Sequence, residues 1–295
     1  MAELGQSVTL IRAQQVAREA EVRQSVNGVR FATFGETGLG PMDLDQMLGA
    51  VPTAITAALK SNTYFFVPLA LREPDSLLGG STRGQKSSDN AMVAPAYSDD
   101  LGEAAICHRN VELESGHRGV FISTRLMSDR FALSFEFFIN VAHALVDEVG
   151  VPEVFATLVW EQAVANGKGE TSFDAWEARQ LALGRPVRPE SENSKSVSRR
   201  DRSRAFGVRL EPVAAAAAPL KIDEKEKTIF LETAFSDAVA IYLLSLTLDF
   251  DYSELREREY PLLAPGALAA RLRLVSELFP PNAGYEFSIR YRRRA

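Results

Sequence analysis

The chain has 295 residues, of which 46% are hydrophobic and 24% are charged, and its formal net charge is −6. This composition is typical of a globular protein and excludes wholesale disorder, collagen-like repeats and a small disulfide-rich fold. The single cysteine, Cys107, cannot form an internal disulfide, so we expect a protein of the reducing cytoplasm.

The first part of the chain predicts a mixture of helices and strands. Residues 8–26 form a polar-rich helical pattern, 29–34 read as a short strand, and 43–48 and 53–59 read as helices. Residues 64–71 are apolar and predict a buried strand, in which Pro68 indicates an edge or a bulge. Residues 72–100 are polar and predict a long loop.

The clearest alternation lies in residues 119–137. Two runs of alternating apolar and polar residues, separated by residues 127–129, predict a β-hairpin. A helix over 138–149 follows, with Gly150 as its C-terminal cap. Further helices are predicted over 152–166 and from Ser172, as the N-cap, to residue 183.

Charge is distributed unevenly along the chain. Residues 185–209 carry a net charge of +5 and residues 285–295 carry +3, so that subtracting both from the total of −6 leaves −14 for the rest. The first basic segment is rich in serine and proline and poor in apolar residues, which predicts a flexible linker. We therefore divide the chain into a main body (1–184), a basic linker (185–219) and a C-terminal segment (220–295) that packs on the main body.

The C-terminal segment predicts one strand at each end and two helices between them. Residues 228–233 read as a strand, 236–248 as a buried helix and 266–279 as an amphipathic helix whose apolar face excludes Arg271. Residues 285–291 alternate and predict a last strand that completes the sheet of the main body. The expected fold class is α+β, with an antiparallel, hairpin-containing sheet packed with several helices.

The longest apolar-rich stretch, residues 229–248, is interrupted by Glu232 and Asp237. The uninterrupted remainder is too short to cross a bilayer, so we expect no contact with a membrane.

All three histidines lie within residues 108–143, next to the only cysteine. His108, His117 and His143 are candidate ligands for a divalent transition metal, because imidazole and thiolate suit zinc and similar ions. Their spacing matches no metal motif. The alternative is that they are ordinary core or surface side chains.

His143 also suggests acid–base chemistry. It lies four residues before Asp147 on a predicted helix, so the carboxylate has the spacing to orient the imidazole as the general base of a hydrolase. The simpler alternative is that this polar stripe faces solvent.

The basic segments offer a third interpretation. Their candidate binding residues combine charge with one aromatic ring, and are Arg199, Arg200, Arg202, Arg204, Arg290, Tyr291 and Arg292. They suit contacts with nucleic acid phosphates and bases, or with acidic protein surfaces. Because the remaining body is acidic, we favour an interaction or assembly protein that binds a protein partner or itself, with hydrolase and nucleic-acid-binding protein as alternatives.

Overall fold

The computed structural model describes residues 10–72, 91–126, 129–165, 169–185, 222–256 and 260–290. Its strands are β1 (Ile11–Arg12), β2 (Arg23–Gln24), β3 (Arg30–Thr33), β4 (Asn62–Val67), β5 (Leu69–Arg72), β6 (Ala91–Ala94), β7 (His108–Glu112) and β8 (Arg118–Ser123). Its helices are α1 (Ala13–Glu19), α2 (Pro41–Gly49), α3 (Thr53–Ala58), α4 (Asp99–Gly102), α5 (Arg130–Val149), α6 (Glu153–Val164), α7 (Phe173–Ala182), α8 (Glu224–Ser245) and α9 (Pro265–Leu278). The predicted α+β class is confirmed.

The larger sheet has five strands in the order β2-β3-β4-β8-β7. Its three central strands are parallel, with Tyr64 of β4 in register with Phe31 on one side and Val120 on the other, and the two edge strands are antiparallel. Every residue of β4 is buried, as expected for a central strand covered on both faces. Tyr64 and Phe66 face the helical layer, whereas Phe65 and Val67 face α1 and the smaller sheet.

The smaller sheet is antiparallel, with the order β1-β6-β5. The predicted strand over 64–71 is therefore two strands in two sheets, and Pro68 lies where the chain passes from one to the other. The predicted loop over 72–100 contains β6, whose four residues are all buried. The predicted helix over 8–26 is reduced to α1, because Ile11 and Arg12 pair with β6 instead.

The helical layer packs around α8, which contacts both α5 and α7. Residues 234–244 of α8 are buried on all sides, so the C-terminal segment supplies the centre of the core. Among the described helices, α8 alone is long and apolar enough to span a membrane, but 67% of its apolar window is buried inside the fold, as in the core helix of a soluble protein.

The predicted hairpin over 119–137 is wrong in its second half. Residues 118–123 do form β8, but β8 pairs with the preceding strand β7, and residues 131–137 belong to α5. The alternation of Phe131, Leu133, Phe135 and Phe137 covers too few residues to distinguish a strand from a helix. Over the full length of α5 the buried residues follow helical spacing, since Leu133, Phe137, Val141 and Ala144 lie four, four and three residues apart.

Two further strand predictions are wrong. Residues 228–233 lie in α8, whose N-cap is Asp223 rather than Ser236. Residues 285–290 have no strand partner among the described residues, although their alternation does reflect one half-buried face. Tyr285, Phe287 and Ile289 pack on the helical core, with the ring of Phe287 5.2 Å from that of Tyr242. The alternation of apolar and polar residues therefore marks an extended segment here. Side-chain packing, and not pairing with another strand, keeps this segment in place.

The start of α5 gives a direct test of the corrected secondary structure. The side chain of Asp129 accepts a hydrogen bond from the backbone N–H of Ala132 at 3.2 Å and so caps the helix. We expect Asp129→Ala to lower the free energy of unfolding by about 1 kcal/mol and Asp129→Ser to restore most of it, measured by urea denaturation. Equal stability of Asp129→Ala and the wild type would argue against a helix that begins at Arg130.

Candidate functional site

The proposed catalytic pair lies on the last turns of α5. His143 is half-buried and Asp147 is exposed, with its Oδ2 accepting a hydrogen bond from Asn110 Nδ2 at 3.3 Å. Burial, together with the nearby Arg109 cation, lowers the pKa of His143 to about 4, against the opposing effect of Asp147. The imidazole is therefore neutral at pH 7 and only weakly basic.

The other two histidines have separate environments. The Nε2–H of His108 donates to the carbonyl oxygen of Leu71 at 2.6 Å, and burial lowers the pKa of this ring. His117 lies beside Arg30, whose Nη1 is 3.1 and 3.3 Å from the two ring nitrogens, and its Nδ1 is 3.2 Å from the carbonyl oxygen of Ser61.

The three histidines do not form the suggested metal centre. In the described part of the chain, which includes all three, no group of three or more His, Cys, Asp or Glu side chains has an arrangement that could hold a metal ion. The physical reason is that the three rings lie in different parts of the fold. His108 is bound to β5, His117 lies beside β3, and His143 lies on α5.

Cys107 lies between the larger sheet and α5. Its thiol donates to Oδ1 of the buried Asn140 at 3.3 Å, and burial raises the pKa of the thiol to about 12, with the Glu136 carboxylate adding to the effect. The thiolate is the reactive form of cysteine, so the raised pKa disfavours a nucleophilic role for Cys107 at neutral pH.

A buried charge cluster joins α7, α8 and α9. Glu170 accepts from Arg271 at 2.8 and 3.3 Å and from Arg179 at 3.4 Å, and all three side chains are at most 2% exposed. Asp237 of α8 is also buried and accepts from the Thr171 hydroxyl at 2.7 Å. We call Glu170, Arg179, Arg271 and Asp237 the buried charge cluster. The prediction that Arg271 lies off the buried face of α9 is wrong, because its charge is neutralised inside the core.

A cleft opens between α1 and the amino ends of β3, β4 and β8. It has a volume of about 460 Å³, within the range of sites for small molecules. All of its lining residues lie within the first 120 residues of the chain, and they are Gln14, Ala17, Arg18, Val22, Arg30, Thr63, Phe65, Glu112, Leu113, Glu114 and His117. We call it the α1 cleft.

A helical surface lies far along the chain from this cleft. Helix α6 is apolar around most of its circumference, and Phe155, Val159 and Ala163 on its inner side are fully buried. On the outer side, Val154 is 55% and Val164 43% exposed, and Leu158 between them is half-buried. We call the side defined by Val154, Thr157, Leu158, Glu161 and Val164 the α6 outer face.

Most of the residues proposed as basic contacts lie outside the described residues. They are Arg199, Arg200, Arg202, Arg204, Tyr291 and Arg292. Arg290 is described, and its Nη1 is 3.7 Å from Oδ2 of Asp249, with both side chains more than half exposed. This pair joins the basic residues 285–295 to an acidic side chain elsewhere in the C-terminal segment.

The α1 cleft was not predicted from the sequence. Arg30 and Thr63 come from β3 and β4, and His117 immediately precedes β8, with no characteristic spacing, so only the parallel pairing of β3, β4 and β8 brings them together. The sequence does contain a sign of the α6 outer face, because eight of the twelve residues of α6 are apolar or aromatic. Such a helix is expected to be covered on all sides.

Comparison with known proteins places the chain in no family. No family model matches it, and no curated protein or solved structure shows significant similarity to it.

Proposed function

We propose that this protein is an assembly protein that pairs with a second copy of itself through the α6 outer face. The observation that carries the proposal is the mismatch between the apolar circumference of α6 and its one-sided burial. Val154 and Val164 expose about half of their surface, although Phe155 and Val159 beside them are fully buried. Contiguous exposed apolar groups are characteristic of interaction surfaces.

The chemistry of this face favours a second copy as the partner. A twofold interface places the same patch on both subunits, so the patch must be complementary to itself. The outer face carries Glu161 near its middle, exposed Glu153 lies at its edge, and the apolar side chains of Val154 and Val164 lie towards its ends. Antiparallel pairing of two α6 helices brings these apolar ends together, whereas a strongly charged patch would repel its own copy.

The cationic segments form the second part of the proposal, as electrostatic contacts to acidic protein surfaces. The Arg290–Asp249 pair supports this, since it is a contact of that kind within one chain. The two kinds of contact respond differently to salt. Salt screens contacts between exposed charges, whereas burial of apolar surface persists as ionic strength rises.

Size-exclusion chromatography with light scattering tests the proposal at about 0.05 and 0.5 M salt. We expect the wild type to show twice the chain mass of 32.4 kDa at concentrations of tens of micromolar, at both salt levels. The double substitution Val154→Glu and Val164→Glu places two carboxylates in the interface and is expected to yield monomer. Val26→Glu is the matched control, because Val26 is fully exposed on a different surface.

Circular dichroism of each variant serves to check that it is folded. A wild type that stays monomeric at both salt levels would contradict self-assembly. A dimer that survives the double substitution but is lost at 0.5 M salt would assign assembly to the basic segments instead, as would its loss on deletion of residues 190–206.

The other two functions remain predictions. A hydrolase that uses His143 and Asp147 would need a base, and a pKa of about 4 makes His143 a weak one. Nucleic acid binding is tested by its affinity at low salt with and without residues 190–206. Cytoplasmic residence is likewise proposed, on the basis of the free cysteine.

A further inference from the structure

The floor of the α1 cleft contains a hydroxyl that makes no hydrogen bond. Thr63 is completely buried on the central strand β4, lines the cleft, and its Oγ1 has no hydrogen-bond partner among the described residues. A buried polar group without a partner destabilises a fold, so each such group calls for an explanation. Thr63 is on the same face of β4 as Phe65, which also lines the cleft.

Two arginines line the cleft, and Arg30 is the one that is not paired with Glu114. Its Nη1 lies against the ring of His117, and within the described ranges neither its Nη2 nor its Nε has a hydrogen-bond partner. These two atoms form the edge of the guanidinium that binds a carboxylate through two parallel hydrogen bonds. Arg30 and Thr63 are at the amino ends of adjacent parallel strands, so one ligand head group can reach both.

The remaining walls limit what the ligand can be. Ala17 and Leu113 supply partly exposed apolar surface, and the buried ring of Phe65, also in the lining, stacks on that of Phe121 with 4.6 Å between the ring centroids. Two carboxylates, Glu112 and Glu114, also line the cleft, the second paired with Arg18 at 2.8 Å. These acidic groups disfavour a dianionic head group such as a phosphate monoester, and they tolerate a single negative charge beside Arg30.

We propose that the α1 cleft binds a small organic monocarboxylate with an apolar body. The carboxylate is held by Arg30 and by the Thr63 hydroxyl at the floor, which donates to it, and the apolar body lies against Ala17 and Leu113. The proposal is independent of assembly through α6.

The test uses three probes that share one phenyl body, and measures binding to the full chain by isothermal titration calorimetry. We expect phenylacetate to bind with a dissociation constant on the order of 1 mM, which is ordinary for a ligand of about ten non-hydrogen atoms. Phenethylamine, with the opposite charge, and phenyl phosphate, with two negative charges, are expected to bind at least about ten times more weakly.

Two substitutions and their matched controls locate the site. Arg30→Gln is expected to weaken phenylacetate binding by about tenfold or more, whereas Arg23→Gln, at an exposed arginine of β2, leaves it unchanged. Thr63→Val is expected to weaken binding by about fivefold and to raise the melting temperature of the unliganded protein, because it removes a buried unpaired hydroxyl. Thr56→Val is the control, since the Thr56 hydroxyl donates to the Asn27 carbonyl at 2.6 Å. That variant is expected to melt at a lower temperature and to bind phenylacetate normally.

The outcomes separate a ligand site from a merely structural threonine. Higher melting temperature of Thr63→Val together with unchanged affinity would overturn the proposal. So would an absence of phenylacetate binding up to about 20 mM, binding indifferent to Arg30→Gln, or tighter binding of phenyl phosphate than of phenylacetate.

Discussion

Replacing Glu170 by glutamine is expected to lower the free energy of unfolding by about 3–5 kcal/mol. Glu170 is the acceptor for both Arg179 and Arg271, and it is completely buried. Glutamine keeps the shape of the side chain but removes the charge and turns one acceptor into a donor that faces a guanidinium. Two cations then remain in the core, and Asp237 is the nearby anion that attracts Arg271.

The same substitution at an exposed ion pair provides the control. Glu114 pairs with Arg18 at 2.8 Å, a distance as short as the Glu170–Arg271 pair, but the two side chains are 74% and 65% exposed. We expect Glu114→Gln to change the free energy of unfolding by less than about 1 kcal/mol, because water already solvates both charges. Urea denaturation of both variants measures the difference. Equal losses would mean that the buried charge cluster contributes no more than a surface pair.

The local capping signals of this chain were predictable from its sequence. Gly150 ends α5 with a positive φ of 69°, and Ser172 caps α7 by accepting from the backbone N–H of Ala175. These signals succeed because one residue and its immediate neighbours determine the backbone geometry.

Errors arose where a run of six or seven residues was compatible with both a strand and a helix. Residues 131–137 and 228–233 carry β-branched or aromatic side chains typical of strands, yet both belong to long helices. Their partners in the core lie far away along the chain, as in the packing of α5 (Arg130–Val149) against α8 (Glu224–Ser245). Tertiary burial of a whole helical face outweighs the preference of six or seven residues.

The candidate sites were hidden for the same reason. Arg30 and Thr63 meet only because β3 and β4 pair in parallel, and Glu170 meets Arg271 across about a hundred residues of sequence. No spacing rule covers such contacts. In contrast, the excess of apolar residues on α6 is visible in the sequence. The sequence does not show which side of this helix the rest of the fold leaves exposed.

Asp237→Asn is expected to stabilise the protein at neutral pH, the opposite of Glu170→Gln in the same cluster. Burial raises the pKa of Asp237 from 3.8 to about 6, against the hydrogen bonds from Ser172 and Thr171 and the attraction of Arg271. A carboxyl whose pKa is higher in the folded state binds its proton more tightly there. Ionising it therefore costs stability as the pH rises from about 3.8 to about 6, and the full cost, about 3 kcal/mol at most, persists above that range.

Asparagine removes this cost because it stays neutral, and its Oδ1 still accepts the hydrogen bond of Thr171. We expect Asp237→Asn to be more stable than the wild type by about 1–2 kcal/mol at pH 8 and equally stable below pH 4, measured by urea denaturation across this range. Glu232→Gln, at an exposed site of the same helix, controls for the loss of one negative charge. A variant less stable than the wild type at pH 8 would show that attraction to Arg271 outweighs the desolvation of Asp237, and that both acids of the cluster are needed to hold its two arginines.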